Sequence, residues 1–368
     1  MRAMTGKIEF VLAPIESQAT LESTWRGTAA RVQPYFFLSW GWIGTWLATL
    51  PADLKPLLLT ARRDGTAIGV AIVMTRTIRQ TLRATATGFH LHSTGDPRWD
   101  CISIEHNGFL CAPADAADLA AEFFEWFAGD AAAGEELRLP GVELPYDTTL
   151  LDHRGFLHNT KQQAGFTADL AAVESSGDPA ALFSRNARQQ FHRTQRDYAK
   201  LGAVTITAAR DTAEALVYFR ALKALHVESW QRRKQRHAFS EPYFEIFHEA
   251  LIAREFAAGS VQLLRIAAGP ETVGYLYNFV AEGRVSAYQS GFDDLDRKRR
   301  PGVLSHSLAI EWNAARGARI YDFLAGENQL KASFANGAYE LAWQVIRRPL
   351  FKFRLESAAR HWKQKFLG

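Results

Sequence analysis

Apolar and polar positions change period repeatedly along the chain, and the changes mark alternating strands and helices. Residues 57–77 (LLLTARRDGTAIGVAIVMTRT) read as strand, tight turn, strand, and residues 262–282 (QLLRIAAGPETVGYLYNFVAE) read the same way. The pairs Ile68-Gly69 and Val273-Gly274 fall at equivalent points after the two turns, and a helical pattern precedes each hairpin, at 39–50 and at 242–257. A repeat at this spacing is far too long for a solenoid and predicts a duplicated domain. Further strands are predicted near 8–12, 102–105, 137–139, 165–173, 284–289 and 318–323. Helices are predicted at 114–128, 148–163, 179–201, 212–231 and about 303–315. Helix-separated, partly antiparallel strands predict an α/β (α+β) fold with mixed sheets rather than a parallel doubly wound one. The breaker cluster Ser175-Ser176-Gly177-Asp178-Pro179 sets the expected boundary, giving domains 1–176 and 177–349 and a C-terminal helix at 350–368.

Composition narrows the class. A chain of 368 residues is long for one core, which agrees with two domains. With 47% hydrophobic and 22% charged residues it is an ordinary globule. The most apolar stretch, 35–50 (YFFLSWGWIGTWLATL), is shorter than the roughly 20 residues of a spanning helix, and Ser, Gly and Thr interrupt it. It is read as a buried helix, with an interfacial contact as the alternative because it is rich in Trp. The net charge of +4 suits an anionic cofactor or a membrane surface and gives little support for a nucleic-acid partner. The two cysteines, Cys101 and Cys111, form no metal spacing and no disulfide framework. With no secretory pattern at the N-terminus, a cytoplasmic setting is expected, with the inner face of the membrane as a refinement. The last segment, 347–368, carries seven Lys or Arg against one Glu, interleaved with Leu350, Phe351, Phe353, Leu355, Trp362 and Phe366. It reads either as a basic amphipathic helix at a membrane interface or as a terminal helix packed on its domain.

Residues 284–331 carry the most chemistry. A strand leads into the basic loop Arg297-Lys298-Arg299-Arg300, Pro301-Gly302 follows, then a helix, then a short strand ending in a loop with Asp322, Gly326, Glu327 and Lys331. A strand, a cationic Gly turn and a helix N-terminus make an anion-binding device, because the first helical turn has unpaired N–H groups and the positive end of the dipole. That predicts a phosphate-bearing cofactor.

This order resembles the acyl-CoA site of the GNAT N-acyltransferase superfamily. More narrowly it resembles the branch that includes the cellulose-biosynthesis protein CelD, a relative of the Fem peptidyltransferases. The matching elements are Arg300-Pro301-Gly302, the helix through Trp312 to Gly317, Tyr321-Asp322-Phe323-Leu324, Gly326-Glu327 and Lys331. Leu304 stands where the family's phosphate loop has a second small residue. The resemblance implies two tandem GNAT-like domains, acyl-CoA as co-substrate, no metal, and an N-acyltransferase forming an amide on a primary amine. Some bacterial ceramide synthases look like members of this branch, so a long-chain acyl-CoA and a sphingoid-type lipid amine are the first expectation. Acetylation of an amino sugar in exopolysaccharide assembly and a non-catalytic accessory role are the alternatives.

Amide formation from a thioester needs a deprotonated amine, a donor for the oxyanion and a proton for the thiolate. Asp322 and Glu327 are candidate bases at a strand end and in the loop after it, with an N-cap as the bland role for Glu327. His306, on the first turns of the cofactor helix, is a candidate neutral base or a solvent-facing residue. Tyr288 is a candidate thiolate donor, with core Tyr as the plain alternative. The resemblance assigns Gln289, Ser290, Gly291, Arg299, Arg300, Gly302, Val303 and Lys331 to the cofactor. In the first half, His92, Asp96, Asp100 and Glu105 form a polar cluster among turn residues and are the candidate acceptor-binding set; Gly95 and Asp100 match a pattern of the CelD-like relatives.

Overall fold

The computed structural model describes residues 6–79, 85–129, 134–143, 149–176, 178–183, 185–294, 299–326 and 329–356. The chain forms two compact units, residues 1–162 with 341–368, and residues 163–340. Both are mixed α/β units, and both are built to one plan.

The first unit contains strands β1 (Ile8–Pro14), β2 (Leu57–Arg63), β3 (Thr66–Arg79), β4 (Thr85–Leu91), β6 (Glu136–Glu143) and β13 (Gly337–Arg347), in that spatial order. All neighbours are antiparallel except β4 and β6, which run parallel. A short strand β5 (Leu110–Cys111) pairs with β3. Helices α1 (Gln18–Val32), α2 (Trp40–Thr49), α3 (Ala116–Gly129) and α4 (Thr149–His153) complete it. Phe123, Phe124 and Phe127 of α3 pack on Phe89 and Leu137 of the parallel pair. Each such buried aromatic or aliphatic side chain stabilises the unit by roughly 1.5–3 kcal/mol.

The second unit orders its strands β8 (Val204–Ala208), β9 (Val261–Ala268), β10 (Glu271–Ala281), β11 (Arg284–Phe292), β12 (Ile320–Ala325) and β7 (Leu157–Asp169). Again a single parallel pair, β11 with β12, sits among antiparallel neighbours. The hairpins β2–β3 and β9–β10 therefore hold the same place in the two sheets, as the sequence echo predicts. Gly69 and Gly274 also share a reason to be glycine: a Cβ would lie 2.5 Å from Leu119 in one case and 2.6 Å from Phe292 in the other. Strands β7 and β13 each carry the chain from one unit into the other, so each sheet's last strand is long-range in sequence.

Helices α5 (Ala171–Ser176), α6 (Arg185–Ala199), α7 (Thr212–Arg232), α8 (Pro242–Glu255), α9 (Pro301–Ala314) and α10 (Gln329–Phe334) belong to the second unit. Leu304, Ala309 and Ile310 of α9 share a core with Leu276, Val285 and Tyr321. Asp211 starts α7 by accepting from the Glu214 N–H at 2.8 Å, and Pro242 occupies the first turn of α8.

Local expectations differ from the structure in four places. Residues 102–105 are not a strand: a single 3-10 turn ends at Ile102, and Ser103 and His106 follow at φ 46 and 48. Residues 148–163 are not one helix, because Gly155 at φ 73 closes α4 after a turn and β7 follows. The 165–173 strand stops at Asp169, whose carboxylate accepts from the Ala171 N–H at 3.0 Å and opens α5. The 179–201 helix divides into a 3-10 turn, Pro179–Leu182, and α6. The aromatic stretch 35–50 is core: Phe36, Phe37, Trp40, Trp42 and Trp46 are buried. The contacts put the unit junction inside β7 rather than at 176, and they group 341–368 with the first unit. No helix among the described residues is long and apolar enough to cross a membrane.

Candidate active site

In the second unit, β11 and β12 pair only through Arg284–Ile320, Val285–Tyr321 and Ser286–Asp322. Beyond Ser286 the strands part, and the backbone between Ala287 and Phe292 loses its β12 partner. The result is a fork, with α9 beginning beyond its open end. Parallel strands that separate next to a helix N-terminus give backbone donors and a positive dipole end in one place.

A bulge shapes the β11 arm of the fork. Tyr277 pairs with Gln289 and Asn278 with Ala287, so Tyr288 is the extra residue. Its hydroxyl lies 3.2 Å from Nε2 of His248 on α8, and Nδ1 of the same imidazole lies 3.2 Å from the Tyr277 hydroxyl. His248 is fully buried among Phe244, Phe247 and Phe279. Burial holds its pKa well below the usual histidine range, and burial holds the Tyr277 hydroxyl well above the usual tyrosine range. The imidazole is therefore neutral, one nitrogen donating and the other accepting, and Tyr288–His248–Tyr277 is a hydrogen-bonded chain ending at the half-buried Tyr288. Two residues on, the Ser290 N–H donates to the side-chain oxygen of Gln289 at 3.0 Å, and the Ser290 carbonyl accepts from His226 Nδ1 at 2.9 Å. Gly291 is tied to α7, where a Cβ would sit 2.2 Å from the Leu222 carbonyl oxygen.

The other arm is the start of α9. Arg300 is its N-cap at φ 50 and supplies no side-chain cap, and the Val303 N–H donates to the Arg300 carbonyl at 3.0 Å. A Cβ on Gly302 would approach Phe292 at 3.3 Å and Leu330 at 3.5 Å, so this turn lies close against the end of β11. Leu304 is buried in the core. Arg299 pairs with Glu271 at 3.3 Å, and Arg300 donates to Gln190 of α6. Lys331 closes the end of β12 by donating to the carbonyls of Leu324 and Ala325, at 3.1 and 2.8 Å. Gln289, Ser290, Gly291, Gly302, Val303 and Lys331 thus gather at one fork, while Arg299 and Arg300 are engaged in surface pairs at its rim.

Two candidate bases have other partners. Asp322 is fully buried. It accepts from Arg284 at 3.0 Å, from the Leu324 N–H at 2.9 Å and from the Tyr339 hydroxyl at 2.8 Å. Those three bonds hold Leu324 at φ 60 and fix the bend of β12. His306 is buried with Nδ1 3.0 Å from the Tyr321 hydroxyl; burial, aided by Lys331, pushes its pKa down to about 3. It is neutral, as a base must be, and it faces the Tyr321–Phe323 side of the fork. Glu327 lies outside the described residues.

The first unit's cluster splits in the same way. His92 accepts from the Ile72 N–H at Nε2 (2.9 Å), so its Nδ1–H donates to Asn107 at 2.7 Å; it ties β4 to β3. Asp100 accepts from the N–H groups of Thr94 and Gly95 at 2.7 and 2.8 Å, and burial raises its pKa. Asp96 bridges Arg98 and Arg76 at 2.6 and 3.0 Å, and Arg98 above all holds its pKa well below the carboxylate range. Glu105 is buried nearby. These residues build a loop, and His92 and Asp100 line a cavity of about 400 Å³.

Sequence reasoning missed His248 and His226. The available signal was weak: His248 interrupts the apolar stripe Tyr243, Phe244, Phe247, Leu251, Ile252 of α8, a pattern that more often marks a satisfied core histidine.

Residues 185–332 match the family described as Acetyltransferase (GNAT) domain. No curated protein matches the chain. Among solved structures, FemX is similar over 92% of this chain and 98% of its own, with a TM-score of 0.56 and 13% identity. The C-terminal domain of a putative lysylphosphatidylglycerol synthetase from Agrobacterium fabrum covers 94% of this chain and 96% of its own, with a TM-score of 0.51 and 12% identity. A protein of unknown function from Bacteroides thetaiotaomicron covers 92% and 100%, with a TM-score of 0.50 and 11% identity. The likeness to these structures is one of fold. The GNAT domain makes the chain an acyltransferase.

Proposed function

We propose that this acyltransferase moves an acyl group from a CoA thioester to a primary amine at the β11–β12 fork of the second unit. The observation that supports the reading most is the joining of three groups at one fork: the start of α9, which has no side-chain cap, the Ser290 N–H and the Tyr288 hydroxyl. The pyrophosphate would lie at the start of α9 on the Gly302 N–H, displacing the Arg300 carbonyl if it also takes the Val303 N–H, with Arg299 and Arg300 at the rim. The thioester carbonyl would take the place on the Ser290 N–H that the Gln289 side-chain oxygen fills, and the same N–H would then hold the oxyanion. Tyr288 would give its proton to the leaving thiolate and draw on His248 for its orientation. The amine enters deprotonated; the proton its nitrogen loses as the amide forms would pass by way of the neutral His306 imidazole, on the other side of the fork, to water, and Tyr288 would regain a proton from water after the CoA thiol leaves.

For the acceptor we infer a long-chain, sphingoid-type amine met at a membrane surface. Phe351 and Leu355 support this: they are 75% and 50% exposed, four residues apart on one side of the helix at 351–356, with Lys352 and Arg354 between them. Calorimetric titration with CoA, acetyl-CoA and palmitoyl-CoA tests the reading. Preference for palmitoyl-CoA is the expected result. Preference for acetyl-CoA would move the acceptor to an amino sugar, and no binding to any of the three would remove the CoA reading and leave an accessory role.

A further inference from the structure

Helix α6 turns one face to the core and gathers cations on the other. Phe191, Thr194 and Tyr198 are buried, at the spacing of a core-facing stripe. Opposite them lie Arg188, Arg193, Arg196 and Lys200, all exposed. Across 188–200 these four cations meet a single acid, Asp197, which lies 2.7 Å from Lys200 and 3.9 Å from Arg193. Gln189, His192 and Ala199 complete the exposed face. This pattern works against the helix that carries it. The first turn holds no acid, although the positive end of the dipole favours one there, and Arg185 opens the helix instead. Arg193 and Arg196 are neighbours one turn apart, as are Arg196 and Lys200, and like charges at those spacings repel. A face laid out only for solvation interleaves both signs. Like charges kept together without compensation inside the helix suit an external anion.

The helix also lies where the fork opens. Near its start, the Gln190 side chain accepts from Arg300, the N-cap of α9. Just past its end, the Gly269 N–H donates to the Ala203 carbonyl at 2.9 Å, and a Cβ on Gly269 would come within 2.2 Å of the Leu201 carbonyl oxygen. Gly269 sits in the turn between β9 and β10, and β10 starts beside the end of β11, where the Asp293 N–H donates to the Val273 carbonyl at 3.0 Å. Both ends of α6 are thus fixed to the edge of the second unit on which the fork opens.

We propose that the exposed face of α6 is a docking surface for an anionic lipid bilayer, beside the mouth of the fork. The contact is electrostatic: arginine and lysine meet lipid phosphates at the level of the headgroups, and the face has no large apolar side chain to enter the hydrocarbon. A nucleic acid offers the same phosphates, but the face holds no Phe, Tyr or Trp on which bases could stack. The choice of a bilayer also rests on the lipid-acceptor reading above, since a long-chain acyl-CoA and a sphingoid-type amine would both reach the fork from a membrane.

Co-sedimentation of the full chain with vesicles tests the proposal, using phosphatidylcholine alone and phosphatidylcholine with about one-third phosphatidylglycerol. Binding to the anionic vesicles only is expected, weakening steeply between about 0.1 and 0.5 M salt. The combined variant Arg188→Gln, Arg193→Gln, Arg196→Gln should bind roughly 100-fold more weakly, about fivefold for each charge removed. Its melting temperature, and its CoA affinity at the higher salt, should stay close to the parent's. No binding to anionic vesicles would overturn the proposal. So would equal binding to the neutral vesicles, which would assign the contact to Phe351 and Leu355, or parent-like vesicle binding in the combined variant. Tighter binding to a uridine oligonucleotide than to the anionic vesicles would overturn it too, and give the face to a nucleic acid. Vesicle binding through α6 without a preference for palmitoyl-CoA would uphold the docking surface and count against the lipid-acceptor reading alone.

Discussion

The hydroxyl of Tyr288 sits 3.2 Å from Nε2 of His248, on the one residue that the β11 bulge pushes out of register. Without the bulge, Tyr288 would alternate with its neighbours across the sheet faces. With it, one aromatic side chain reaches a buried neutral imidazole while its backbone stays at the fork. Tyr288→Phe keeps the ring packing against Phe244 and Phe279 and removes only the oxygen. We expect kcat to fall roughly 100- to 10,000-fold, the usual scale of one general acid, with CoA affinity within a factor of two. Steady-state kinetics beside calorimetry checks this, and an unchanged kcat would remove Tyr288 from the chemistry. His248→Phe should give a smaller loss in kcat and a shifted pH profile, because it acts on the proton through Tyr288.

In the proposed reading Gly302 is the steric gate for the phosphate end. Its space is bounded by Phe292 and Leu330, so Gly302→Ala is a tight fit and Gly302→Trp must swing into the fork. Gly302→Trp should abolish measurable CoA binding while the far-ultraviolet circular dichroism is retained. CoA affinity equal to the parent's would move the cofactor elsewhere.

Asp322 reads differently in the sequence and in the fold. A carboxylate at a strand end beside a glycine loop is a fair candidate base, and nothing local tells that Arg284, 38 residues earlier, and Tyr339, 17 residues later, converge on it. Asp322→Asn leaves Arg284 short of its counter-charge and should destabilise the protein by about 2–4 kcal/mol. The folded fraction should keep turnover within about tenfold of the parent. A melting temperature equal to the parent's with turnover lost would return Asp322 to the role of base.

The parts of the fold set by local rules were legible from sequence: the paired hairpins, the glycines Gly69 and Gly274, the Pro301-Gly302 helix start and the burial of 35–50. The parts set at long range were not. The exchange of β7 and β13 between units depends on pairings far apart in the chain, so the breaker cluster at 175–179 looked like the junction. The Tyr288–His248 link joins a strand to a helix 40 residues away, and a histidine in an apolar stripe gives no sign of which hydroxyl it will meet. The fork itself was legible only as a list of residues, since the parting of β11 from β12 is a property of pairing and not of composition.

Buried histidines give the protein a defined acid limit. Burial lowers the pKa of His90 and His306 to about 3 and of His92 to about 4, against about 6.5 in the unfolded chain. The unfolded state therefore binds more protons between pH 6.5 and those values, and stability falls as pH falls through that window. From pH 7 to pH 5 each such histidine costs about 2 kcal/mol, a large share of the usual 5–15 kcal/mol. Above pH 7 these residues should leave stability flat. Thermal melts from pH 8 to 4.5 should show a plateau and then a steep decline below about pH 6.5. His90→Leu should make the decline shallower by one histidine's share, and His306→Leu should do the same. A melting temperature independent of pH between 7 and 5 would mean that these imidazoles take up protons in the folded protein, and it would withdraw the neutral His306 from the amine's side of the fork.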